Sequence, residues 1–233
     1  MQKLTLIFLS VLFLLVLRAS PASADTNVGG AITVDTTWTL AGSPYNVTST
    51  VQVYGTSTTP TTLTIEPGVV VKFASGAALQ IGNGTSQGAL IAKGTTTDRI
   101  TFTRSAASGT WAGITYNDGT VDSTAILENV DIQYSTGVTM TSASPTIRNS
   151  TITDVTGYGL NLSSTNPTIE NVTITNNGVY GIYLSSSSPV ITGGSLINTN
   201  STGQGIYGSG SPAISNYNVS IVNSAGKYGL SDL

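Results

Sequence analysis

Residues 144 to 232 carry one pattern written four times: SPTIRNSTITDVTGYGLNLS, NPTIENVTITNNGVYGIYLS, SPVITGGSLINTNSTGQGIYGS and SPAISNYNVSIVNSAGKYGLSD. The prolines Pro145, Pro167, Pro189 and Pro212 are spaced 22, 22 and 23 residues apart. The glycines Gly159, Gly181, Gly205 and Gly229 follow at spacings of 22, 24 and 24. A weaker copy, ILENVDIQYSTGVTM, precedes them from Ile126. Within each copy apolar and polar residues alternate over three to five positions, which is the two-residue period of a strand. Polar turns interrupt these runs too often for a helix of ordinary length. Three short strands per repeat make a triangular coil that cannot bury its apolar face alone, so the coils must stack.

The expected architecture is therefore an all-β, single-chain parallel β-helix (solenoid) of about nine coils of roughly 22 residues. Residues 111–233 form the regular repeats, and 25–110 an N-terminal cap with irregular first coils. In that first half Thr62-Leu63-Thr64-Ile65, Val69-Val70-Val71-Lys72-Phe73 and Ala89-Leu90-Ile91-Ala92 keep the strand pattern without the repeat's proline and asparagine markers. Composition agrees: 39% of residues are hydrophobic and only 8% charged. That is apolar enough to form a core, and the Thr, Val, Ile and Tyr content favours strands.

Residues 1–24 read as a secretion signal. Lys3 precedes the apolar run LTLIFLSVLFLLVL, and Ala22-Ser23-Ala24 is a small-residue cleavage site that would leave Asp25 as the new terminus. The run is short for a membrane span, and no later segment is long and apolar enough to provide one. Losing Lys3 and Arg18 leaves 6 basic against 11 acidic residues, a net charge of −5 that gives no support to a nucleic-acid partner. The chain has no Cys and no His. Disulfides, thiolate nucleophiles and the commonest general base and metal ligand are thus excluded, and neither cofactor nor metal is expected.

The segments LTIEPGVVVKF, ALQIG, GALIAKGTTTDRITFT and GTWAGI resemble the N-terminal coils of right-handed parallel β-helix repeat proteins. The later SPTIxNxxI…GxGL copies are similar to the repeat of the pectin-lyase-like superfamily. The resemblance implies right-handed coiling, which the spacing alone does not. It spans polysaccharide lyases, glycoside hydrolases, tailspikes, adhesins and surface-layer proteins, among which this chain is expected to be a non-catalytic surface or adhesin-type member.

Three constellations are candidates for function. Glu128, Arg148 and Glu170 each precede the repeat asparagine and should form one outward column. Its sharper reading is a polysaccharide-lyase site with Arg148 as base; its plainer reading, preferred here, is a cross-strand ion-pair ladder. A Ca²⁺ site wants six to eight oxygen ligands, and no Asp cluster surrounds the column. Tyr183 and Tyr207 should point outward one coil apart and are the candidate carbohydrate-contacting pair. Tyr158, Tyr180 and Tyr228 should form a second column. Asn129, Asn149, Asn171 and Asn216 should form a side-chain ladder at a turn, broken where Gly193 replaces asparagine, with Asn149 and Asn171 inaccessible. Trp38 and Trp111 are expected to cap the core, and Asp118, Asp122, Asp131 and Asp154 do not pair as a hydrolase would require.

The expected role is a secreted or cell-surface structural or adhesive protein, with polysaccharide or surface glycan as a partner. The alternatives are a pectate-lyase-type enzyme and a passenger fragment of a larger adhesin. Because the chain stops inside a repeat, end-to-end self-association through an uncapped C-terminal coil is a further expectation.

Overall fold

A strand with one apolar face needs a second layer, and here the layer is the chain's own next turn. The computed structural model describes residues 25–198, 205–221 and 230–231. One turn runs Ile126–Glu128, Val130–Gln133 and Val138–Thr141; the next runs Thr146–Arg148, Thr151–Thr153 and Leu160–Ser163. These strands define three faces, A, B and C, in that order. All named strand pairings are parallel and in register with the turn before: Leu127 with Ile147 on face A, Ile132 with Ile152 on B, Met140 with Leu162 on C. About eight turns stack in this way, fewer than the chain length divided by 22 suggests. The early turns are longer: Gly94 and Asn129, which share a corner, are 35 residues apart, whereas Asn149 and Asn171 are 22 apart.

The core is built of columns of buried apolar side chains in register from turn to turn, mixed in the early turns and nearly uniform in the later ones. On face B, Tyr45, Val71, Phe102, Ile132, Ile152, Ile174 and Leu196 lie above one another, all buried. Each fully buried isoleucine contributes roughly 1.5–3 kcal/mol from removal of apolar surface. Near the N-terminal end Trp38 stacks on Tyr45 at 5.0 Å, where the described core begins. Trp111 does not cap. It is fully buried in mid-solenoid, stacked on Phe73 at 4.0 Å, and its indole N–H donates to the Gln133 carbonyl at 2.8 Å. Residues 105–109, between the strands Ile100–Arg104 and Ile114–Tyr116, are exposed, and the chain re-enters the core at Trp111.

In the regular turns the corners pass through left-handed residues. Leaving face A these are Asn129, Asn149, Asn171, Gly193 and Asn216, with φ of 50°, 52°, 50°, 61° and 52°. Leaving face B they are Tyr134, Asp154 and Asn176, and leaving face C Ser142, Ser164 and Ser186. Asparagine, aspartate and glycine occupy this conformation at least cost, which is the main reason the repeat keeps asparagine at its first corner. Gly193 therefore preserves the turn and removes only a side chain.

Candidate functional site

The charged residues of face A do form one column, and it is longer than the sequence suggested. Lys93, Glu128, Arg148 and Glu170 are register partners on successive turns, followed by Thr192 and Ser215. Arg148 Nη2 donates to Glu128 Oε2 at 2.9 Å, and Lys93 Nζ lies 3.9 Å from the same oxygen. The hydrogen bond to Glu128, reinforced by the charges of Glu128 and Glu170, raises the Arg148 pKa above its ordinary value. A guanidinium held more firmly protonated is a poor proton acceptor. Cations alternate with anions, so no two carboxylates share a cation-sized space. Among the described residues no group of three or more acidic or histidine side chains could hold a metal ion.

A third ion pair, unread in the sequence, lies at the corner between faces A and B. Arg99 grips Asp131 through Nε and Nη2 at 2.8–3.0 Å, and its remaining hydrogen bonds go to the carbonyls of Val130 and Asn149 at 2.9 and 3.0 Å. One guanidinium thus ties three turns together and satisfies carbonyls that the left-handed corner turns away from the strands.

The asparagine ladder is shorter than expected. Asn171 Nδ2 donates to Asn149 Oδ1 at 2.9 Å, and Asn129 Nδ2 donates to the Gly94 carbonyl at 3.1 Å. Asn171 and Asn216 are exposed, so Asn171 is not inaccessible as its place in a ladder implied. The more regular ladder stands at the third corner, on the residue before each repeat proline and on Asp122, its counterpart one turn before the first of them. Asp122, Ser144, Asn166 and Ser188 each accept, through a side-chain oxygen, the backbone N–H of the equivalent residue one turn on: Ser144, Asn166, Ser188 and Ser211, at 2.7, 2.9, 2.7 and 3.1 Å. The recurring Ser-Pro and Asn-Pro pairs were the signal. Asp122 belongs to this column.

On face C the outward column reads Gln52, Gln80, Thr115, Thr139, Asn161, Tyr183 and Tyr207. Gln52 donates to Gln80 at 2.9 Å. Tyr183 and Tyr207 are neighbours as expected, with ring centroids 6.1 Å apart. They are not separate from the other tyrosines: Tyr158 lies 5.1 Å from Tyr183, Tyr180 5.9 Å from Tyr183, and Tyr207 4.7 Å from Tyr180. The four half-buried rings form a single cluster at the edge of face C. Tyr228, residues 1–24 and the residues after Ser231 lie outside the described residues.

No curated protein and no solved structure matches the chain significantly. A family model described as a right-handed β-helix region matches residues 87–231, more than half of the chain. With the stacked parallel turns, this places the chain in the right-handed β-helix family.

Proposed function

We propose that the chain is a secreted or cell-surface structural or adhesive protein that contacts glycans without transforming them. The observation that carries this reading is the use made of the outward charged side chains. Glu128 is committed to Arg148 and Lys93, Asp131 to Arg99, and Asp122 to the Ser144 N–H. Residues of these types in these positions bind turn to turn. Export is supported by the charged start, apolar run and Ala-Ser-Ala site of residues 1–24. A passenger segment of a larger adhesin is the same reading at larger scale. A lyase built on Arg148, Glu128 and Glu170 is the competing one, and the raised Arg148 pKa speaks against it. Fractionating cells that express the full chain, with N-terminal sequencing of the product, tests the reading. Recovery outside the cytoplasm with a terminus at Asp25 is the expected result; an uncleaved cytoplasmic chain would sink it.

A further inference from the structure

Charge is distributed unequally among the three faces. Face A carries Lys93, Glu128, Arg148 and Glu170, and face B carries Lys72, Arg104 and Asp131. The strands of face C, from residues 51–53 through Leu79–Ile81, Ile114–Tyr116, Val138–Thr141, Leu160–Ser163, Ile182–Ser185 and Ile206–Gly208, contain no Asp, Glu, Lys or Arg. Their outward groups are amides, hydroxyls and phenols.

We infer that face C is a docking surface for an extended neutral polysaccharide lying along the solenoid axis, across the strands. This rests on the glycan-contacting reading above and narrows it to one face and one ligand class. Amides and hydroxyls offer both donors and acceptors, as sugar hydroxyls require. The Tyr158, Tyr180, Tyr183 and Tyr207 cluster adds apolar surface with polar tips at one end. Successive turns repeat these groups every 4.7–4.9 Å, so a polymer with a short regular repeat meets similar chemistry on each turn. The rings already pack on one another and the amides Gln52 and Gln80 are already bonded, so little side-chain freedom is lost on binding. An acidic polymer finds no cation on this face, whereas a neutral one requires no charge to be desolvated.

The test is affinity electrophoresis of the full chain through gels containing neutral polymers (β-glucan, mannan, xylan) or acidic ones (polygalacturonate, alginate). Retardation by at least one neutral polymer is expected. It should weaken about tenfold or more, ~1.4 kcal/mol, in the pair Tyr183→Ala/Tyr207→Ala and in Thr139→Glu, and stay unchanged in Arg148→Ala. Thr139 lies outside the tyrosine cluster, so Thr139→Glu carries the test if the tyrosine variant fails to fold. Retardation only by acidic polymers, or by none, overturns the inference, as does binding that survives Thr139→Glu but not Arg148→Ala. None of these results touches the non-catalytic reading, which falls instead if the polymer is cut.

Discussion

Replacing Asn171 separates two explanations of the repeat's asparagine. Its backbone stands at φ 50° and its side chain donates to Asn149 at 2.9 Å. Alanine at this position loses the hydrogen bond, worth about 0.5–1.5 kcal/mol and toward the low end for an exposed pair. It also places an unfavoured residue in left-handed backbone, at about 1–2 kcal/mol. Together these predict a loss of about 2 kcal/mol. Glycine loses the same hydrogen bond without the conformational cost, so Asn171→Gly should lose about 1 kcal/mol or less. Gly193, the natural occupant one turn on at φ 61°, shows the backbone accepting it. Urea unfolding of the three proteins side by side, read as midpoints because stacked repeats need not unfold in one step, measures the difference. Equal losses in Asn171→Ala and Asn171→Gly would refute the conformational argument and return the asparagine to a ladder role.

Three further outcomes follow from buried and laddered polar groups. Asn177 is fully buried with no partner for its amide, where Val155 stands one turn earlier, so Asn177→Val should stabilise the fold by about 1–3 kcal/mol in the same unfolding assay. Tyr116 is buried and its hydroxyl lacks a partner; burial raises its pKa above the ordinary 10.0. Below about pH 10 both states keep the proton, and above it only the unfolded chain releases it, so stability should fall by about 1.4 kcal/mol per pH unit through this group. Tyr116→Phe should remove that slope without loss at neutral pH, as seen in unfolding midpoints from pH 9 to 11.5. Asn166→Ala removes the acceptor of the Ser188 N–H and should cost about 1 kcal/mol, whereas Asn166→Ser, which copies Ser144 and Ser188, should cost less than half as much.

The repeat spacing was enough to place Arg148, Glu128 and Glu170 in one column and Tyr183 beside Tyr207, because in-register stacking converts sequence period directly into neighbourhood. Lys93 escaped because the coil between it and Glu128 is lengthened, so no fixed period links them. Arg99 and Asp131 escaped for the same reason. Asn149 was visible as a recurring residue, but its cause, a left-handed corner, is a backbone property that a side-chain ladder can mimic in sequence. The merging of Tyr158 and Tyr180 with Tyr183 and Tyr207 required the corner geometry, since the two sets sit at different places in the repeat. The burial of Trp111 is not legible in the sequence, because its irregular early coil gives no period from which to read inside from outside.

Product release tests the central claim most directly. The purified chain would be incubated with acidic and neutral polysaccharides, with and without Ca²⁺, and assayed for new reducing ends and unsaturated uronates. A structural, glycan-contacting β-helix predicts neither product from any polymer. New ends that disappear in Arg148→Ala would contradict it and make the Glu128–Arg148–Glu170 column a lyase site.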